Sequence, residues 1–345
     1  MLRRLVMERL REALLPALRK TWKSDIDGSV RDLRQQVADL RQQVGTLETQ
    51  LEQARRASRR LEVLNEWNAS PTRSAAALDA RLADPAVAAH VRDAATHAQV
   101  CSEPTAHVVV EDLLPADVYA ALLESIPPPE FFPDRDPVKQ DLEMSALGST
   151  PAITQRAWRY FDETLVREVL APALFERLRP AVVAHYAQSG GEGFGERAAR
   201  ITHETVAGRI MLRRPGYRLA PHLDPRRVVI TGLVYFARPG DSEAYGTQLF
   251  RVDRPFVASG MKTFFPEEEG MTCEVARVVP FRANTLLAFV NSRAAHGASL
   301  PRDATLRERY SYQFYLKPRD GELKALLREL PPEQQAGWGR YLEKK

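Results

Sequence analysis

The chain has 345 residues, 44% of them hydrophobic, and a formal net charge of +4. Its length predicts one catalytic-size globular domain with an appendage. Residues 1–23 hold seven basic and two acidic side chains, so the remainder is close to neutral and no basic groove for nucleic acid is expected. Two distant cysteines exclude a disulfide framework and a CxxC metal site, and indicate a reducing, cytoplasmic location. Charges interrupt every apolar run near the start, so we expect neither a signal peptide nor a membrane span.

Residues 1–24 are predicted to form a basic amphipathic helix. Its apolar residues near one face are Leu2, Leu5, Val6, Leu10, Leu14 and Leu18, with Trp22 at the end. Pro16 is expected to kink the helix. Such a segment, over residues 1–22, could make peripheral contact with an anionic membrane surface or pack against protein. The sequence leaves both interpretations open.

Residues 25–63 have the heptad spacing of a coiled coil. Steps of four and three residues alternate through Ile26, Val30, Leu33, Val37, Leu40, Val44, Leu47, Leu51, Ala54, Ser58 and Leu61. Valine recurs at the a positions and leucine at the d positions, a combination that favours two parallel strands. We therefore predict a parallel homodimer through residues 26–61. The alternative is a long amphipathic helix that folds back on its own domain.

The rest of the chain is predicted as an α+β arrangement. Residues 64–103 are interpreted as an Ala-rich linker with short helices, residues 104–318 as the globular domain, and residues 319–345 as a helical tail. Residues 151–187 have a helical pattern that we expect to break at Pro180. Short strand-like runs follow in GRIMLRR, RVVITGLVYFA, TQLFRV, CEVARVVP, NTLLAFVNS and RYSYQFYLK. Several short strands separated by turns are typical of an antiparallel sandwich or barrel.

Two polar residues stand at the start of an apolar run, in PHLDPRRVVITGLVYF. His222 and Asp224 are two positions apart, so on a strand they point to the same face. An imidazole and a carboxylate together suit a divalent first-row metal, and His296, after another apolar strand, is a candidate third ligand. The alternative is a His–Asp hydrogen bond with His296 as an unrelated loop residue.

The last predicted strand, RYSYQFYL, alternates polar and apolar side chains. Arg309, Ser311, Gln313 and Tyr315 share one face, and Tyr310, Tyr312, Phe314 and Leu316 the other. An arginine at the start of an inward face is suited to bind a carboxylate through two hydrogen bonds. A surface salt bridge is the other interpretation of Arg309, and Arg302 and Arg307 are alternative cations.

The region from His107 to Lys317 resembles the prolyl-hydroxylase-like group of the Fe(II)/2-oxoglutarate-dependent dioxygenases. The stretches that carry the resemblance, in order, are HVVVEDLLPADVYAALLESI, PGYRLAPHLD, YGTQLF, PFRANTLLAFVNSRAAHGAS and RYSYQFY. The resemblance implies a double-stranded β-helix, which is a jelly-roll or cupin-like barrel, with flanking helices after the coiled coil. It also implies that His222, Asp224 and His296 bind iron and that Arg309 binds 2-oxoglutarate, with Ser311 as a weaker second contact.

The implied reaction is the hydroxylation of an unactivated C–H bond, with 2-oxoglutarate and O2 as co-substrates and succinate and CO2 as products. Ascorbate is an auxiliary reductant that the resemblance allows. Three ligands on one face of the metal leave three positions, enough for two oxygens of 2-oxoglutarate and one O2. The substrate could be a peptidyl proline, a small metabolite or a saccharide. A rival interpretation is a non-catalytic cupin-like binding or scaffold module on a dimerisation stalk.

Two parts of the sequence depart from the family pattern. Many relatives have a tyrosine nine residues before the first ligand histidine, where this chain has Arg213. The loop from Arg254 to Gly270 matches no motif, and we expect either a substrate lid or a surface excursion there.

Overall fold

The structure is a computed structural model that describes residues 2–70, 75–133, 136–254 and 262–343. Its internal contacts divide the chain into two units, Met1–Glu62 and Val63–Lys345. Helix α1 (Leu2–Ala69) supplies all the described residues of the first unit and the first residues of the second. No helix among the described residues has the length and apolar composition needed to cross a membrane.

The first unit is a single uninterrupted helix. The predicted basic helix and the predicted coiled-coil segment both belong to α1, which continues through Pro16. The heptad side chains from Ile26 to Leu51 are between 40% and 62% exposed. A helix of this length with an exposed apolar stripe lacks the packing that normally stabilises helices. The dimer that would supply it stays a prediction.

The second unit begins with helices that the sequence suggested were part of a linker. After the end of α1 come α2 (Ala75–Leu82) and α3 (Pro85–Thr96). The Asp84 side chain accepts a hydrogen bond from the Ala86 backbone N–H and so caps α3, whose first residue is Pro85. Buried apolar side chains of this stretch join the main core: Val63, Trp67, Leu78, Leu82, Val87, Val91 and Ala95. The predicted linker of residues 64–103 therefore contributes a packed helical layer.

The remaining described helices flank a set of antiparallel strands. The helices are α4 (Ala116–Glu124), α5 (Ala152–Arg159), α6 (Ala171–Gly190), α7 (Glu192–Ala198), α8 (Asp320–Arg328), α9 (Pro332–Gln335) and α10 (Arg340–Glu343). The strands are β1 (Val100–Cys101), β2 (His107–Val110), β3 (Lys139–Glu143), β4 (His203–Arg213), β5 (Arg218–His222), β6 (Ile230–Tyr235), β7 (Thr247–Val252), β8 (Cys273–Val279), β9 (Thr285–Val290), β10 (Ala294–Ser299) and β11 (Arg309–Pro318). The predicted α+β class is confirmed.

One expected helix break is absent. Helical structure is continuous from Ala152 to Gly190, through a π-helical segment at Tyr160–Leu170. The break predicted at Pro180 is wrong, because the helix runs on past this residue. Leu178 and Val182, on either side of it, are buried in the core and hold the helix in place.

The strands form two antiparallel sheets. The larger has the order β1-β2-β9-β6-β11-β4-β3, and the smaller has the order β5-β10-β7-β8. From β4 onward the chain moves repeatedly between the sheets, with β4, β6, β9 and β11 in the larger one and β5, β7, β8 and β10 in the smaller one. This alternation places residues that are distant in sequence on neighbouring strands.

The larger sheet buries both of its faces. On β11, Tyr310, Tyr312, Phe314 and Leu316 pack with the helices in the main core. On the opposite face, apolar side chains of both sheets form a second core: Met211, Leu233, Tyr235, Leu249, Val279, Leu287 and Phe289. The two-residue alternation predicted for β11 thus separates a helix-facing side from a side that faces the smaller sheet.

Candidate metal centre

The three residues predicted as metal ligands lie close together at the end of β5 and on the neighbouring strand β10 of the smaller sheet. His222 is the last residue of β5, Asp224 follows two positions later, and His296 lies in β10 directly opposite His222 in the strand pairing. One potential ligand atom from each lies within 4.8 Å of the others, and all three residues are buried. Neighbouring antiparallel strands thus unite residues more than seventy positions apart in sequence.

The chain segment after His222 is held by backbone and side-chain hydrogen bonds. Leu223 forms a two-way backbone bridge with Phe264, with N–O distances of 2.8 and 2.9 Å. The Asn291 side-chain amide donates to the carbonyl oxygens of Asp224, Pro225 and Val228 at 2.8, 3.2 and 3.1 Å. These contacts fix the turn that carries the Asp224 carboxylate.

The hydrogen bonds of His222 and Asp224 leave lone pairs on both side chains that can bind a metal. His222 Nδ1 lies 3.0 Å from the Ala220 carbonyl oxygen. A carbonyl can only accept, so Nδ1 holds the proton and Nε2 has its lone pair available. Thr231 Oγ1 donates to Asp224 Oδ2 at 2.7 Å, and the Tyr315 hydroxyl donates to Oδ1 at 3.3 Å.

His296 completes the cluster. Its Nε2 lies 3.7 Å from Asp224 Oδ2, and its ring centroid lies 4.1 Å from that of His222. Its Nδ1 is buried and has no hydrogen-bond partner among the described residues. An unpartnered buried polar atom costs free energy, so the surroundings of this ring are incomplete as they stand.

Burial disfavours the charged form of both imidazoles. Burial lowers the pKa of His222, although Asp224 opposes the effect, and burial together with the neighbouring His222 holds the pKa of His296 well below its ordinary value. Neutral imidazole is the form that binds metals. Two imidazole nitrogens and a carboxylate oxygen on one side of a buried site fit Fe(II) and related divalent ions.

The cluster opens into a cavity of about 260 Å³ between the sheets. The cavity is lined by Lys139, Asp141, Arg209, Met211, Arg213, Tyr217, Leu219, His222, Asp224, Leu233, Thr247, Thr263, Phe265, His296, Gly297, Ala298, Arg309, Gln313 and Tyr315. Four of these residues are basic and two are acidic. Pockets for small ligands typically have volumes of about 300–1,000 Å³, so this cavity can hold only a compact ligand.

Arg309 is the buried cation of this cavity. Its Nε donates to the Tyr245 carbonyl oxygen at 2.8 Å, and one terminal nitrogen lies 3.4 Å from Thr247 Oγ1. The guanidinium carbon lies 5.2 and 5.1 Å from the ring centroids of Tyr235 and Phe281. No described carboxylate forms an ion pair with Arg309, so the surface salt bridge considered for it is not found.

Part of the hydrogen-bonding capacity of Arg309 remains available. A guanidinium has five N–H donors, and the Tyr245 carbonyl and the hydroxyls of Thr247 and Tyr235 engage about three of them. Burial lowers the pKa of Arg309 from its ordinary value, yet arginine stays protonated in proteins. A buried, unpaired cation is unfavourable, and an anionic ligand in the cavity would relieve it.

The other cations considered from the sequence do not line the cavity. Arg302 and Arg307 are exposed. Ser311 is fully buried beside Arg309 on β11, and its hydroxyl has no described partner, but it is absent from the cavity wall. Its predicted contact with 2-oxoglutarate stays a prediction.

Sequence reasoning missed several residues of the cavity wall. Lys139 and Asp141 belong to β3, a short polar strand whose sequence contains no apolar run from which a strand could be predicted. Arg213, noted only as a departure, forms a 2.7 Å ion pair with Asp141 and lies over the ring of Tyr217. Phe265 belongs to the loop from Arg254 to Gly270, for which a substrate lid was one expectation, and lies 5.7 Å from His222 between ring centroids, while residues 255–261 of that loop lie outside the described residues.

Comparison with known proteins finds similarity among solved structures. A Pseudomonas putida prolyl-4-hydroxylase matches 67% of this chain and 98% of its own, with 18% identity and a TM-score of 0.37. The epimerase SnoN, in complex with Fe3+, alpha ketoglutarate and nogalamycin RO, matches 68% of this chain and 85% of its own, with 16% identity and a TM-score of 0.39. A prolyl 4-hydroxylase from Phytophthora capsici matches 79% and 76%, with 17% identity and a TM-score of 0.31.

No protein-family model matches the chain, and no curated protein matches it. Similarities this low do not establish a family for the chain.

Proposed function

We propose that the chain is an Fe(II)- and 2-oxoglutarate-dependent dioxygenase that hydroxylates an unactivated C–H bond and releases succinate and CO2. One observation carries the proposal: the buried His222, Asp224 and His296 cluster shares a small cavity with the unpaired Arg309. The cavity thus contains both a metal site and a buried group that can bind an anion. This combination suits a co-substrate with a metal-chelating end and a distal carboxylate.

The strand order supports the same proposal at the level of fold. The chain alternates between β4-β11-β6-β9 in one sheet and β5-β10-β7-β8 in the other. This alternation supports the proposed jelly roll, the double-stranded β-helix. In this arrangement the two histidines lie on adjacent strands of the smaller sheet, while Arg309 extends from the larger sheet that faces them.

Each residue of the site has a distinct task. His222, Asp224 and His296 would hold Fe(II) on one side and leave the other side open to the cavity. The iron would supply the redox chemistry that couples 2-oxoglutarate decarboxylation to C–H oxidation. Thr231 and Tyr315 orient the Asp224 carboxylate by donating hydrogen bonds to it.

Arg309 would bind the distal carboxylate of 2-oxoglutarate and so fix the depth at which this co-substrate sits. Its aromatic neighbours exclude water from the guanidinium and strengthen that interaction. Burial of the Tyr315 hydroxyl, followed by the nearby Asp224 charge, raises the pKa of Tyr315, so the phenol remains a donor at neutral pH.

We also propose that α1 associates with a second copy of the same chain as a parallel coiled coil through residues 26–61. The exposed heptad stripe supports this, because its a and d residues match a two-stranded seam. Peripheral membrane contact through residues 1–22 remains a prediction from the sequence.

The test is an anaerobic titration of metal-free protein with Fe(II) and then with 2-oxoglutarate. A chelated α-keto acid gives a visible charge-transfer band, and we expect this band to appear and to saturate with 2-oxoglutarate. Folded protein that takes up iron but gives no band would contradict the proposal and favour the rival binding or scaffold module.

A further inference from the structure

Three basic residues lie side by side across the sheet that lines the cavity. Arg213 on β4 pairs in register with Lys139 on β3 and with Arg309 on β11. All three line the same cavity, so they share one face of the sheet. Like charges directly opposite each other on neighbouring strands are destabilising. Such a row of positive charges is therefore expected only where nearby anions neutralise it.

The compensation within the described chain is incomplete. Asp141 neutralises Arg213 through the 2.7 Å ion pair. Arg309 has no carboxylate partner, and the proposed function assigns the distal carboxylate of 2-oxoglutarate to it. Lys139 is exposed, which puts it at the opening of the cavity, and no ion pair joins it to another described residue.

A fourth cation adds to the excess. Arg209 lines the cavity two positions along the same face of β4 from Met211, and its nearest carboxylate, that of Glu143, is 3.9 Å away. Its guanidinium donates to Gln313 Oε1 and to the Tyr315 hydroxyl, so it is fixed in place. The four basic and two acidic residues of the wall leave an excess of two positive charges, and the half-exposed Glu143, which pairs with Arg209 from outside the wall, offsets one of them. Because Fe(II) and dianionic 2-oxoglutarate cancel each other, their binding does not remove this excess.

We propose that the substrate carries an acidic group, a carboxylate or a phosphate, and that Lys139 binds this group at the opening of the cavity, with Arg209 as the second positive charge. This inference rests on the proposed function and adds the substrate class to it. The small cavity volume allows only the reacting end of a larger substrate, or a compact acid, beside the co-substrate. A neutral substrate would leave the charge excess unrelieved.

The experiment uses the full chain in its anaerobic complex with Fe(II) and saturating 2-oxoglutarate, so that Arg309 is already occupied. Acetate, glycolate and inorganic phosphate are titrated into this complex, with glycolamide and trimethyl phosphate as uncharged counterparts. An anion bound at the opening of this small cavity changes the electric field at the metal and shifts the charge-transfer band. We expect saturable shifts with at least one carboxylate or with phosphate, and none with the uncharged compounds.

Lys139→Met should weaken the anion titration by about tenfold or more, because a charge-assisted contact is lost. Lys139→Arg should retain it. Lys324→Met is the matched control, since it removes one positive charge from a residue that does not line the cavity. The relative responses to acetate and phosphate distinguish a carboxylate site from a phosphate site.

Either of two results would overturn the inference: no saturable shift with any of the three anions, or an unchanged titration in Lys139→Met. Failure of the proposed function is recognised separately, because the charge-transfer band would then be missing before any anion is added.

Discussion

The exposed stripe of α1 and the cavity between the two sheets both lack binding partners, but the unsatisfied groups are apolar and exposed in the first and polar and buried in the second. On α1, the side chains from Ile26 to Leu51 are apolar and exposed, and a fully buried leucine or valine contributes about 1.5–3 kcal/mol relative to an exposed one. In the cavity, His296 Nδ1 and Arg309 are polar and buried without full compensation. Exposed apolar groups are stabilised by a protein partner that buries them, whereas buried polar groups are stabilised by a metal or a charged ligand.

The largest effect should come from removing the carboxylate of the cavity. Asp224→Ala deletes the one anionic donor of the cluster, and we expect it to abolish Fe(II) binding at neutral pH while the fold is retained. The fold should survive because the neighbouring helices and cores do not depend on this carboxylate. Metal titration and circular dichroism measure the two properties separately.

Asp303→Ala is the matched control for this change, because Asp303 is exposed and outside the cavity. It should bind Fe(II) like the wild type. Wild-type iron affinity in Asp224→Ala itself would remove Asp224 from the ligand set.

The next largest effect concerns the stripe. Leu40→Glu places a charge at a central d position of the predicted seam, and burying that charge against a second copy is costly. We expect the dimer to dissociate to a monomer in sedimentation equilibrium. Gln42→Glu adds the same charge at an outward position of the same heptad and should leave the dimer intact. A dimer that survives Leu40→Glu would place the contact between the two copies outside the predicted seam, and a monomeric wild type would favour the folded-back helix.

These two regions also differ in how far the sequence could predict them. The heptad of α1 is a local pattern with a fixed period, so its extent could be predicted without tertiary information. The placement of His222, Asp224 and His296 could be predicted only by combining spacing with the family resemblance. Their approach depends on the pairing of β5 with β10, and neither strand has a strong apolar or β-branched pattern.

The polar wall of the cavity was beyond sequence reasoning for a related reason. Strand β3, KQDLE, is mostly polar, and its role follows from pairing with β4 rather than from its own pattern. The helices of residues 64–103 were interpreted as a linker because alanine gives little hydrophobic periodicity. Their burial depends on the large side chains of α5 and α6, which pack against them from later in the chain.

A smaller effect is expected at the anion-binding end of the cavity. Arg309→Ala should raise the 2-oxoglutarate concentration for half-saturation by about a hundredfold, because truncating one partner of a buried charged contact costs about 2–5 kcal/mol. Fe(II) affinity should stay close to that of the wild type. Arg302→Ala, which removes an exposed arginine, is the control, and an unchanged requirement in Arg309→Ala would assign the carboxylate to another cation.

The smallest effect is the pH dependence of metal affinity. Two imidazoles with the ordinary pKa of 6.5 would each be half protonated at that pH, which would lower the affinity about fourfold relative to alkaline solution. Burial lowers the pKa of both His222 and His296, so protonation begins only at lower pH. Fe(II) titrations at pH 7.5, 7.0 and 6.5 should therefore show a loss clearly smaller than the roughly threefold that two ordinary histidines would give over this interval. A loss of about threefold or more would mean that the two rings are solvated like exposed histidines, and the contrast between a buried cavity and an exposed stripe would fail at the metal ligands.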